Sequence, residues 1–487
     1  MSFKVALVHV SSNKDFFPPI GLLSIGSYLI EEGIIIKKDI VIFDTAHDNF
    51  FYFLKKFKPS IVGISCATGT FDKATKLGWL VKQKIKGAKI FLGGVHISSL
   101  PHLFDQPFDI GVIGEGEETF LNLYKQLVLS QGKLNFKKLA KIPGIVYRDF
   151  KGKLCFTQKA SLIKLLDKIP LIDWSLIPSF YVFKNKIVKI DNDFKLLKSG
   201  FLLTSRGCPY RCVFCARSVL WPKYRFFSAE RIVSEVENLY KKYKVRHIFI
   251  VDDTFNVSLK RLEEVVKLLD KKMLLGKVYF KVFARADLIT EKACQLFRKL
   301  GVVEVILGFE SGSEKILRYL KANTVTVADN KRAVKLLGKY NLGIYGCFMF
   351  GSPGETKEDM LKTLAFMRSL TKNKNTTKLV CGTTRPYPMT PLWDLAIKKK
   401  IITIEKIRWK DFLIGVNDEE EKYLFFKDKI SQKEYDKIWK IARRLCYAVS
   451  AKTKKIKGWK KIWRLQKLVT VISRFVNYNN RKFFVRQ

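Results

Sequence analysis

Along residues 1–155, short runs of consecutive apolar residues alternate with stretches whose apolar positions recur at helical spacing. The runs Lys4–Val10, Asp39–Asp44, Ile61–Ala67, Lys89–Val95 and Ile110–Gly114 predict strands, and Gly21–Glu32 and Asp72–Lys86 predict helices between them. Continuous rather than alternating hydrophobicity predicts strands buried on both faces, hence a parallel sheet between helical layers. Such a doubly wound, Rossmann-like α/β domain presents ligands at the carboxyl ends of its strands. Those ends here read SSNKDFFPPIG, CATGT, GGVHISSLP and GEGEET, all rich in Gly, Ser, Thr or Pro.

Residues 156–199 hold prolines and strand-like fragments without a repeating unit and predict an extended linker. A second βα series follows over residues 200–395. Its strands are predicted at Phe201–Thr204, His247–Val251, Tyr279–Ala284, Glu304–Gly308, Gly343–Phe350 and Leu379–Thr384. Six units predict a partial (β/α)6 TIM-like barrel with its chemistry at the C-terminal strand ends. Residues 396–487 turn helical and basic.

Charge changes this picture in one place. The formal net charge is +46, yet Lys is spread through every segment, which predicts a solvated basic surface more than a nucleic-acid footprint. From Lys437 to Gln487 there are sixteen Lys or Arg and no Asp or Glu. Within that tail Trp459, Ile462, Leu465, Val469, Ile472 and Val476 recur at helical spacing. Such a basic amphipathic helix packs on the barrel or lies on anionic lipid. Nucleic acid ranks third, because no aromatic–basic platform accompanies it. The N-terminus lacks a signal-peptide pattern and no long uncharged apolar run appears, so a cytoplasmic enzyme is expected.

Nine cysteines are too few and too irregular for a secreted disulfide framework. Cys66, Cys155, Cys294, Cys347, Cys381 and Cys446 are isolated and read as small buried hydrophobes. Cys208, Cys212 and Cys215 instead fall within TSRGCPYRCVFCARS, directly after the first barrel strand. Three thiolates on one loop can ligate three irons of a cubane cluster and leave the fourth open to a small molecule. Zinc is the rival reading, but a structural zinc site wants four ligands in paired spacing.

At these residues the chain resembles the radical S-adenosylmethionine superfamily, whose signature is this C-x3-C-x2-C with an aromatic residue, here Phe214, before the last cysteine. The resemblance implies a [4Fe–4S] cluster that chelates S-adenosylmethionine and reductively cleaves it to a 5′-deoxyadenosyl radical. It also implies an electron donor such as a flavodoxin or ferredoxin. By resemblance, Glu310 and Arg285 hold S-adenosylmethionine. Asp252 and Asp253 face it or the substrate, and Phe214, Ser311 and Gly351 complete that site.

The first domain resembles the cobalamin-binding domain that precedes the barrel in one large class of this superfamily. The resemblance is carried by PPIGLLSIGSYL, VGISCATGT, GGVHISSLP and VIGEGEET. It implies a cobalamin site at Pro19, Gly21, Ser65, Thr68, Gly93, Gly94, His96, Gly114, Glu115 and Gly116. The D-x-H-x-x-G of methionine-synthase-type domains is missing. Neither His47 nor His96 has its spacing, so the lower face of cobalt is expected to be open or water-bound. The expected activity is methyl transfer to an unactivated carbon of a small or lipid-like molecule. Radical cyclisation or rearrangement is the alternative, and an iron–sulfur or cobalamin sensor whose basic tail binds nucleic acid is the non-enzymatic one.

Overall fold

The computed structural model describes residues 3–11, 18–47, 49–177, 180–183, 186–189, 199–413 and 424–455. The amphipathic segment Trp459–Val476 lies outside them. The described residues form two compact units. One holds those up to 189 together with Arg408–Leu413, and the other holds 199–407 and 424–455.

In the first unit, β1 (Val5–Val10), β2 (Ile40–Asp44), β3 (Ile61–Cys66), β4 (Lys89–Gly93) and β5 (Ile110–Val112) run parallel in the order β2-β1-β3-β4-β5. The order reverses at β1, so the neighbouring β1 and β3 carboxyl ends form the switch point where a ligand cleft opens. One face packs Ala6, Val8, Val62, Ile64, Ile90 and Leu92 into a core with Leu77 and Val81 of the helix Phe71–Lys84. Full burial of such side chains contributes roughly 1.5–3 kcal/mol each.

The sheet continues beyond the five expected strands. Antiparallel β6 (Ile145–Arg148) and β7 (Leu154–Phe156) extend its edge. The following stretch is also packed rather than extended, contrary to the linker expected from residue 156 onward. Ile163, Leu166, Ile169, Trp174 and Leu176 are buried, the Asp173 N–H donates to Ser27 Oγ at 2.9 Å, and Lys37 pairs with Asp173 at 2.9 Å. Its apolar residues are spaced irregularly and form only single turns, so no helical or strand period betrays their burial. Beyond it, β8 (Phe180–Phe183) and β9 (Lys186–Lys189) pair as an antiparallel hairpin.

The second unit is a six-stranded parallel sheet. Its members are β10 (Ser199–Leu202), β13 (His247–Ile250), β14 (Tyr279–Ala284), β15 (Val302–Glu310), β16 (Gly343–Phe350) and β17 (Thr376–Thr383), in sequence order. Two short strands, β11 (Ser205–Arg206) and β12 (Arg225–Phe226), pair separately. The main helices after β12 to β17 begin on Ser228, Ser258, Thr290, Thr326, Thr356 and Thr390. In each case the cap hydroxyl accepts an N–H of the first turn. These caps satisfy donors that the helix itself cannot, and so fix where each helix starts. Every return to the sheet therefore delivers a strand whose carboxyl end lies at the same rim. Among the described residues no helix is long and apolar enough to cross a membrane.

Candidate active site

The cysteines sit on an excursion closed at its base. β11 and β12 pair antiparallel, so residues 207–224 form a loop held at both ends. Beneath it lies Asp252 at the end of β13, 1% exposed. Its carboxylate accepts from the N–H groups of Thr204 and Ser205 at 2.6 and 3.1 Å and from both their hydroxyls. Arg261 reaches the same carboxylate at 3.9 Å and donates to the Thr204 carbonyl at 2.7 Å. Burial pushes the Asp252 carboxyl up, opposed by Arg261 and these donors. Asp252 thus anchors the loop from below. Asp253 lies 3.5 Å from the half-exposed Arg217, just past the last cysteine, and, secondary to burial, its charge helps to raise the Cys215 thiol.

Above this base, the Val213 N–H donates to the Leu320 carbonyl at 3.0 Å. Cys208 Sγ lies 3.5 Å from Thr254 Oγ1. Cys212 Sγ accepts from Arg285 Nη1 at 3.6 Å. Burial pushes the Cys215 thiol up to about 11. No three His, Cys, Asp or Glu side chains among the described residues are gathered closely enough to hold a metal ion as they stand. The loop's fitness rests on its donors, three thiols within eight residues, half-buried and beside a guanidinium. That donor set suits an iron–sulfur cluster, which holds its thiolates deprotonated.

The end of β15 carries a strained carboxylate. Glu310 has φ +58°, a left-handed conformation that a side chain of its size rarely adopts, and it is 7% exposed. Such strain concentrates at functional sites. Its Oε1 accepts from Lys321 Nζ at 2.8 Å, and Lys321 is equally buried. Burial alone would lower the Lys321 pKa, but the Glu310 carboxylate reverses this and raises it. A Cβ at Gly308 would collide with Glu310 Oε1 and lie 3.2 Å from Lys321 Nζ, so glycine there makes room for the pair. Lys321 also lies over the Phe214 ring, 5.4 Å from its centroid. Sequence reasoning missed Lys321, which stands at the C-terminal cap of the short helix Glu314–Leu320 and carries no motif of its own.

Two further residues named from the sequence have structural duties. Ser311, fully buried, bonds the Thr363 hydroxyl at 3.0 Å and accepts the Ser313 N–H. Gly351, at φ +76°, sits where a Cβ would strike Leu424. Close by, the buried Glu355 accepts the Ser352 N–H at 2.9 Å, and its Oε1 has no hydrogen-bond partner among the described residues. Burial pushes its carboxyl up to about 8.

In the first unit the rim is built differently. Gly94 has φ +96°, and a Cβ there would stand 2.5 Å from the Cys66 carbonyl, so two strand ends touch backbone to backbone. Added Cβ atoms at Gly21, Gly93 and Gly114 meet nothing within 4 Å. Asp44, His9, Ser65 and Gly93 form one rung across β2, β1, β3 and β4. His9 Nδ1 lies 2.9 Å from Asp44, which also takes the Ser11 hydroxyl and the Ala46 N–H. Burial alone would raise the Asp44 carboxyl, but these partners hold it below the usual range.

His96 is 1% exposed, stacked on Phe71 and edge-on to Trp409. Both its ring nitrogens lack a hydrogen-bond partner among the described residues, and burial pushes its pKa down to about 3. Thr68 is buried in a single 3-10 turn, and Pro19 precedes the helix Ile20–Glu31. Glu115 instead accepts the Ile163 N–H at 3.0 Å, tying down the packed segment. Gly116 faces Ile25 of the first helix. An open glycine rim with an orphaned imidazole fits a bulky ligand rich in amide and phosphate groups.

Comparison with known proteins joins the two halves. The family model of the B12 binding domain matches residues 7–124, and that of the Radical SAM superfamily matches residues 202–367. An uncharacterised methyltransferase of Pyrococcus horikoshii is 30% identical over 401 residues, covering 81% of each chain. The chain belongs to the cobalamin-dependent radical S-adenosylmethionine methyltransferases. A second relative of this radical family is the anaerobic magnesium-protoporphyrin IX monomethyl ester cyclase of Rubrivivax gelatinosus. It is 28% identical over 80% of this chain and 68% of its own. The fold agrees with the radical S-adenosylmethionine methyltransferase TsrM from Kitasatospora setae, solved with tryptophan and an S-adenosylmethionine analogue. That match has a TM-score of 0.65 at 20% identity, covering 81% of this chain and 76% of that one. Membership brings a [4Fe–4S] cluster, S-adenosylmethionine and cobalamin as cofactors, and a small-molecule substrate fits such an enzyme.

Proposed function

We propose that this enzyme methylates an unactivated carbon of a small or lipid-like molecule. We assign the cluster to Cys208, Cys212 and Cys215, S-adenosylmethionine to the Glu310 side of the barrel rim, and cobalamin to the glycine rim of the first sheet. When bound, the cluster supplies one-electron cleavage of S-adenosylmethionine and cobalamin supplies methyl transfer. The single observation that carries this reading is the closed cysteine loop set beside the strained, lysine-held Glu310. A carboxylate fixed in a dry site holds its partner without reorganising, which is what positioning a reactive cofactor requires. Here Asp252 and Arg261 hold the loop base, and Lys321 fixes where the Glu310 carboxylate points.

The electron comes from a low-potential donor such as a flavodoxin or ferredoxin, which places the enzyme in a reducing compartment such as the cytoplasm. Cyclisation without methyl transfer is the second reading, favoured by the likeness to the cyclase of Rubrivivax gelatinosus. The test is a chromatographic count of two products from reduced enzyme with its substrate. Methyl transfer leaves S-adenosylhomocysteine, whereas reductive cleavage leaves methionine and 5′-deoxyadenosine. Methylation predicts both in roughly equal amounts, with S-adenosylhomocysteine dependent on cobalamin. Turnover with 5′-deoxyadenosine alone would replace methyl transfer with cyclisation or rearrangement.

A further inference from the structure

Arg285, at the end of β14, is 7% exposed, and its donors are engaged within the protein. Nε and Nη2 reach the two Asp287 oxygens at 2.9 and 3.4 Å, and Nη2 also donates to Thr324 Oγ1 at 2.9 Å. Nη1 donates to Cys212 Sγ at 3.6 Å. The guanidinium carbon lies over the Tyr210 ring, 3.5 Å from its centroid. Tyr210 stands between Cys208 and Cys212 in the chain. One buried cation therefore grips the cysteine loop twice, by a ring contact and by a hydrogen bond to a sulfur. Its remaining contacts fix the direction of that hydrogen bond. Such an arrangement is poorly suited to an ion pair with a ligand carboxylate, because Asp287 and Thr324 already occupy the fork.

We infer that Arg285 is a positioning residue for the cluster, ordering the loop through Tyr210 and raising the cluster's reduction potential through Cys212, and is not a contact for S-adenosylmethionine. The inference rests on the assignment of the cluster to the three cysteines. Hydrogen bonds to cluster sulfurs and nearby positive charge stabilise the reduced, more negative state, so they raise its potential. Arginine suits the task because its planar fork can stack, donate to sulfur and bind Asp287 at once, which lysine cannot.

The experiment compares full-length wild type, Arg285→Met and Arg285→Lys after anaerobic reconstitution. Iron and sulfide are counted first, and about four of each in the wild type upholds the cluster assignment independently of Arg285. The midpoint potential is then measured by an EPR-monitored redox titration, and S-adenosylmethionine affinity by equilibrium dialysis on the oxidised protein. The expected result is a lowered potential in Arg285→Met and a smaller lowering in Arg285→Lys, with affinity within about threefold of wild type. If Arg285→Met holds too little iron to titrate, Arg285→Lys against wild type decides. An unchanged potential, or a tenfold loss of affinity in either variant, would overturn the inference. Wild type without iron would overturn the cluster assignment instead.

Discussion

The rim of the barrel and the rim of the first sheet solve opposite problems. At the barrel rim, buried charges are matched by named partners: Asp252 by Arg261 and four donors, Glu310 by Lys321, and Arg285 by Asp287. At the first sheet, Asp44 is matched by His9, Ser11 and Ala46, but glycines stand at the ends of the neighbouring strands, and His96 is buried with neither nitrogen satisfied among the described residues. A small cluster and one nucleoside need directed contacts held in place before they arrive. A large cofactor needs room, and it brings its own hydrogen-bonding groups. One site is therefore built by added contacts and the other by omission.

That contrast can be broken at either end. The largest effect is expected at Lys321. Lys321→Met leaves Glu310 buried and unpaired, which typically costs ~3–5 kcal/mol. It is expected to weaken S-adenosylmethionine binding at least tenfold by dialysis, with Lys321→Arg recovering part of the loss. Unchanged affinity would separate the pair from the cofactor.

Asp252→Ala comes next. It strands the Arg261 guanidinium and the Thr204 and Ser205 donors, and is expected to destabilise the second unit by ~3 kcal/mol in denaturant unfolding while also reducing iron retention.

The third concerns pH. Glu355 has a folded pKa of about 8, above its unfolded value, so it favours folding while protonated. That contribution is fully present below the unfolded pKa and is lost as pH rises through about 8. Stability should fall by a few kcal/mol at most between about pH 5 and pH 8, and Glu355→Gln should flatten that slope in thermal unfolding.

The smallest effect tests the omission side. His96→Phe removes two nitrogens that are unsatisfied among the described residues and is expected to stabilise the cofactor-free protein by ~1 kcal/mol. The cobalamin absorption spectrum should be unchanged, because His96 is not expected to ligate cobalt.

The same contrast explains what could be read in advance. Parallel strands and the cysteine loop were legible because period and spacing are local. The five parallel strands of the first sheet and the six of the second fall within a few residues of their expected positions, whereas antiparallel β6 and β7 were not expected. Glu310 stood out at a strand end, but Lys321 did not, since only the left-handed turn at 310 brings the two together. Asp252 and Asp253 look alike in sequence, yet past the end of β13 one lies beneath the loop on Thr204, Ser205 and Arg261 and the other beside Arg217 and Cys215. Arg285 was legible as a rim cation with Asp287 two residues on, but its direction also depends on Tyr210 and Thr324, which stand far from it in sequence. The packed stretch Ile163–Ile177 was hidden because isolated turns carry no period.

The most direct test of two independently built sites is a crossed cofactor count. Wild type, Cys208→Ala and Gly94→Val would each be reconstituted anaerobically with iron, sulfide and cobalamin, then assayed for iron and cobalt per chain. Gly94 is the choice because any side chain there meets the Cys66 backbone, and its φ of +96° excludes valine. Wild type is predicted to hold about four iron and one cobalamin, Cys208→Ala to lose iron and keep cobalamin, and Gly94→Val to do the reverse. Loss of both cofactors in each variant, or stoichiometric zinc in place of iron, would contradict the account.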